Sequence, residues 1–183
     1  LIHALIFYPF VIRFFWGLIA LMGSLWLPDQ PEVWLMMDKN HPLTAFLFDF
    51  TGVMILGGVV AMIVRKRHYR SRQMITGLPP IDWPVYGILG SIMIVGFILE
   101  GMRMAMTDSP GGASYAFVGD FVSRSLTGGM DLTGIYGIVW YLHAALIGIF
   151  TAYLPFSRMF HMIVAPLVLA MNADGPGIHK KRY

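Results

Sequence analysis

The stretch WYLHAALIGIFTAYLPFSRMFHM, residues 140–162, sets two histidines into one of the most apolar segments of the chain. His143 and His161 stand eighteen residues apart. At about 100° per residue that is five whole turns, so an unbroken helix puts both imidazoles on one face, roughly 27 Å apart at ~1.5 Å per residue. The hydrocarbon core of a bilayer is ~30 Å thick. The stretch therefore reads as a membrane-spanning helix with a histidine near each surface, kinked at Pro155.

Composition supports the membrane reading outward from this segment. The 183 residues are 57% hydrophobic and 13% charged, with a mean hydropathy of +0.67. Soluble domains carry about a quarter charged residues. There is no cysteine, which excludes thiolate-held iron–sulfur clusters, disulfides and cysteine nucleophiles within this chain. Three further apolar runs are long enough to span: Leu1 to about Leu27, interrupted by Pro9 and Arg13; Leu43 to Val64; and Val85 to Met106. The last runs from Leu132 to Phe156, after which the chain is too short before Pro166 to cross again and is expected to extend the kinked helix and lie at the interface. The first run has no basic segment before it and no small-residue cleavage site, so a signal peptide is not expected and a missing upstream segment is.

Charge sets the orientation. Residues 65–72, RKRHYRSR, hold five Lys/Arg; with Arg158 and the tail, that side carries nine against two acids, Asp82 and Asp174. The links at 28–42 and 107–131 carry two Lys/Arg against six acids. The positive-inside rule places the basic loop and the C-terminus in the cytoplasm. The expected architecture is thus an all-α membrane bundle of four helices over residues 1–172, followed by a cytoplasmic basic tail, 173–183. Trp26, Trp34 and Trp83 fall near its interfaces, and Gly57, Gly58 and Gly90 permit close helix approach.

Ionisable groups inside a membrane are costly and mark function. His3 lies at the cytoplasmic end of the first helix, at a depth similar to His161 on the fourth. Neutral imidazole ligates iron, and a bis-histidine haem takes one from each of two facing helices. Arg13, Asp49, Glu100 and Arg103 gather by depth toward the outer half, near the level of His143. Two readings remain open for them. In one they are a structural ion network, with Glu100 and Arg103 one helical turn apart. In the other they line a quinone pocket, where a carboxylate relays the proton and an arginine orients a carbonyl or propionate.

The segments LHAALIGIFTAYLPFSRMFHMIVAPL (142–167) and IHALIFYPFVIRFFWG (2–17) resemble the cytochrome b (gamma) subunit of respiratory nitrate reductase, and GFILEGMRMA (96–105) is similar to the related membrane subunits of heterodisulfide-reductase-like and sulfite-reduction-associated complexes. The resemblance covers nearly the whole chain, lacking one upstream family helix. It implies two stacked b haems, with His3 and His161 on the cytoplasmic-side iron and His143 on the outer one. Arg13 stands where the family has the outer haem's other histidine; a guanidinium stays protonated and does not ligate iron. His41 is the nearest alternative imidazole in the sequence. One haem b therefore has a complete ligand pair, and a second has half of one.

The expected function is a haem b subunit carrying electrons between menaquinone, or another quinone, and a cytoplasmic iron–sulfur partner in a prokaryotic cytoplasmic membrane. An outer-side cytochrome c is a further candidate partner, and nucleic acid is not one. The alternatives are a haemless membrane anchor and a small transporter using Asp49, Glu100 and Arg103; the latter lacks the repeats and paired broken helices of transporters.

Overall fold

The computed structural model describes residues 2–71, 83–107, 113–126 and 131–171. These residues form α-helices and short 3₁₀ turns, with no strand among them. Four helices are long and apolar enough to cross a membrane: α1 (Ile2–Trp26), α3 (Pro42–Ser71), α4 (Trp83–Met106) and α6 (Thr133–Tyr153). The shorter α2 (Pro31–Met37), α5 (Phe117–Leu126) and α7 (His161–Met171) connect or follow them. The 25 residues of α1 reach roughly 38 Å, enough for the hydrocarbon core. The chain is an all-α, multi-pass membrane bundle.

Pairwise packing runs α1 on α3, α3 on α4 and α4 on α6. The core between them is aliphatic, centred on Ile6, Ile55, Leu89 and Phe150. Between α1 and α6, Phe10 meets Phe150 at 6.0 Å between centroids. Of the glycines expected at close approaches, Gly58 is the one that needs to be glycine. A Cβ there would lie 2.6 Å from Ile6 Cγ1 and 3.2 Å from Leu5 Cβ, whereas Gly57 has open space and Gly90 an ordinary contact. Gly58→Leu is expected to wedge α1 from α3 and cost about 1–3 kcal/mol, read as a lowered unfolding temperature of the protein in detergent.

The structure corrects the sequence reading at three places. First, α3 continues past Val64 through the basic residues to Ser71. Lys and Arg are good helix formers, so leaving the apolar run does not end the helix. Second, the 142–167 segment is not one kinked helix. α6 stops at Tyr153, and two 3₁₀ turns, Leu154–Phe156 and Arg158–Phe160, precede α7. Pro155 lacks an N–H and its ring crowds the preceding turn. Ser157 then turns extended at φ −96°, ψ 163°, and its side chain accepts the Met159 N–H. The five-turn stripe joining His143 to His161 is therefore broken. Third, the outer links contain α2 and α5 instead of plain loops. The basic tail lies outside the described residues.

α6 starts at an exposed device. The Asp131 carboxylate accepts both the Thr133 hydroxyl and its N–H, and the side-chain bond, more than the backbone one, holds its carboxyl below the usual carboxylate range.

Candidate functional site

His3 on α1 and His161 at the start of α7 meet across the bundle, their ring centroids 5.6 Å apart and 26° from parallel. The break after Tyr153 is what turns the chain to bring His161 there. Both histidines are exposed on the bundle rather than held in its core. Phe7 packs on His3 at 6.1 Å between centroids. An imidazole nitrogen stands ~2 Å from a first-row metal, so two rings sharing one metal have centres roughly 6 Å apart. A bare cation needs about four ligands, and among the described residues no group of three or more His, Asp or Glu gathers as a metal site. His3 and His161 are the residues that could hold a metal bringing its own equatorial ligands, as haem iron does; neither lines the bundle's large cavity.

Above this pair, a cavity of about 1000 Å³ opens between α1 and α6, floored by α3 and α4. It is at the upper end of small-molecule pockets, 300 to ~1000 Å³. Its walls are largely aromatic and aliphatic: Phe7, Phe10 and Phe14 on α1, Ile147 and Phe150 on α6, Met93 and Phe97 on α4. Arg13, Asp49, Glu100 and His143 line it too. The clustering by depth read from the sequence is realised for these four. Arg103 does not line the cavity but reaches it through Glu100.

Each polar group is fixed differently. Arg103 grips Glu100 with two bonds, 2.7 Å to Oε1 and 3.2 Å to Oε2, while its Nη1 donates to Asn40 Oδ1 at 2.6 Å. This is the i,i+3 pair foreseen on α4. Arg13 donates through Nε to Thr51 Oγ1 at 2.7 Å and through Nη2 to the Phe48 carbonyl. It fills the space beside Gly52, where a Cβ would lie 2.7 Å from Nη2. On α6, His143 packs its Cε1 against Gly96, 3.2 Å from where a Cβ would stand. Its Nδ1 is buried with no hydrogen-bond partner. Buried polar atoms are nearly always paired, and this one is closed off from the cavity, so His143 meets the cavity through the rest of its ring.

Asp49 has a second task that the sequence did not reveal. Its Oδ2 accepts the N–H groups of Val118 at 2.6 Å and Gly119 at 3.2 Å. These are orphan donors at the N-terminus of α5, where a carboxylate also complements the helix dipole. α5 lies on α4, Gly119 seated against Glu100 Cγ and Met104 and Gly101 against Val122. Asp49 thus ties the outer helix across the polar cluster. Asp49→Asn keeps one carbonyl acceptor but loses the charge, so α5 should loosen by about 1 kcal/mol. Faster amide hydrogen exchange confined to residues 117–126 is the expected result.

An outer haem does not find its second imidazole. The α1 wall facing the cavity carries Arg13, and His143 is the only histidine among the described lining residues. His41 has a buried Nδ1 without a partner but does not line the cavity. The residues present do not fit a second bis-histidine iron. Sequence reasoning missed Lys39, which also lines the cavity, Asn40, Thr51 and the whole of α5. An acidic outer link with one lysine beside His41 was the only hint of the first.

No family model, no curated protein and no solved structure matches the chain.

Proposed function

We propose that this chain is the haem b-bearing membrane subunit of a quinone-linked redox complex, carrying electrons between the quinone pool and an iron–sulfur partner. The observation that carries this reading is the His3–His161 pair, drawn from opposite ends of the sequence to 5.6 Å between ring centres. Its support is the large, mostly apolar cavity above the pair, which His143 and Glu100 line. His3 and His161 would hold the iron of one haem b; bound there, the haem supplies one-electron transfer.

The chain's own residues do the rest. The aromatic and aliphatic walls take an apolar ring and tail while excluding water. His143 offers a hydrogen bond to a ring oxygen. Glu100, held in position by Arg103 and Asn40, offers a carboxylate to accept or return a proton. The basic end of α3 and the C-terminal tail are taken as cytoplasmic, on the prokaryotic inner membrane, facing the iron–sulfur subunit; a cytochrome c on the outer side is an additional proposed partner. The resemblance to nitrate reductase gamma-like subunits belongs with this proposal.

The test is a pyridine haemochrome assay of the purified chain. One haem b per chain is the expected result. A haem-free protein that binds quinone would make it an anchor, and two haems would require an outer ligand other than Arg13.

A further inference from the structure

We infer that the outer half of the cavity recognises an amphiphile with a single acidic head group, and that Arg13 and Lys39 are the residues that take that head. The inference rests on the cavity being a ligand site, as proposed above, and adds the charge of what it binds; it does not depend on the haem.

Four charged residues line the cavity: Arg13, Lys39, Asp49 and Glu100. The two carboxylates are already engaged, Asp49 by the α5 backbone and Glu100 by Arg103. Neither cation bonds directly to them, although Asp49 lies close enough to attract Arg13, and Glu100 and Asp49 to attract Lys39. Arg13 spends Nε and one N–H of Nη2 on neutral oxygens, and its Nη1 has no acceptor among the described residues. Lys39 has no hydrogen bond or ion pair among them either; its Nζ lies 5.5 Å from the centroid of the Phe48 ring. Arg13 Cζ lies 5.1 Å from the same ring. Two like charges held at one aromatic ring, within a low-dielectric wall, repel each other and attract an anion. A planar guanidinium fork beside a mobile ammonium suits a compact oxyanion: the fork gives direction and the lysine a second donor. Below the head, the Phe and Ile walls accept a ring or chain. On the opposite wall His143 lines the same cavity and adds a polar ring edge.

The place that an outer haem would need is, on this reading, a site for a weak-acid ligand. Two sources share the chemistry: a heteroaromatic ring with an acidic hydroxyl, and a fatty carboxylate.

The experiment uses the full-length chain in nanodiscs and two fluorescent probes, a heptyl-hydroxyquinoline N-oxide and cis-parinaric acid, each titrated beside its O-methylated, uncharged counterpart at a pH where the acid is ionised. Wild type is expected to prefer at least one acid over its neutral counterpart by about tenfold or more, the worth of one charge-assisted hydrogen bond. Whichever probe carries the preference identifies the source. Lys39→Gln should remove most of it while leaving the neutral counterpart's affinity within about twofold. Arg13→Gln should do the same; because Arg13 also anchors α3, Lys39, in the link before α3, is the decisive position. Equal affinity for acid and neutral forms, binding of neither, or a preference that survives Lys39→Gln overturns the inference. None of these readouts requires haem, so they separate from a failed haemochrome assay.

Discussion

Replacing His3 or His161 by alanine is expected to abolish the low-spin haem spectrum of the purified protein while leaving the bundle folded. Each substitution removes one of two imidazoles that meet across α1 and α7, and iron with one axial histidine is no longer low-spin bis-histidine. The fold should survive because both side chains are exposed and the core is built from Ile6, Ile55, Leu89 and Phe150 instead. Stoichiometric loss of haem with unchanged far-ultraviolet circular dichroism and gel-filtration profile is the outcome to look for. A normal bis-histidine Soret band and electron paramagnetic resonance signal in either variant would sink the assignment. His143→Ala, by contrast, should leave that signal intact, since His143 belongs to the outer cavity.

The second large effect is expected at Glu100. Glu100→Gln preserves shape and hydrogen bonding but removes the proton-accepting group, and general acid–base catalysis is worth about 10²–10⁴-fold. Quinol-driven haem reduction, normalised to haem content, should slow by about a hundredfold or more with the haem spectrum unchanged. Stopped-flow mixing with a menaquinol analogue measures it. A purely structural role predicts a different pattern: poor assembly, because Glu100 carries Arg103 and backs Gly119 of α5, with a normal rate per folded molecule. Comparison with Asp49→Asn separates the two further. Asp49 is committed to the α5 backbone, so its loss should act through α5 mobility more than through proton transfer.

The four spans were legible in the sequence because crossing a bilayer is a local demand: about twenty apolar residues in a row answer it wherever they fold. The depth of Arg13, Asp49, Glu100 and His143 was legible for the same reason, helical rise being a constant, and so was the Glu100–Arg103 pair, one turn apart on α4. The pairing of His3 with His161 was suggested by matched depth on facing helices, but it is reached through the break after Tyr153 that starts α7 at His161. What tertiary structure alone decided are relations between residues far apart in the chain. Asp49 reaches residues 118 and 119, Arg103 reaches Asn40, and Lys39 joins Arg13 over Phe48. No period or composition encodes these, because each depends on how α1, α3, α4 and α5 pack. The eighteen-residue spacing of His143 and His161 shows the limit from the other side. As a sequence pattern it promised one continuous stripe. The proline's missing N–H and the extended Ser157 broke the helix between them, sending one histidine to the pair with His3 and leaving the other alone in the cavity.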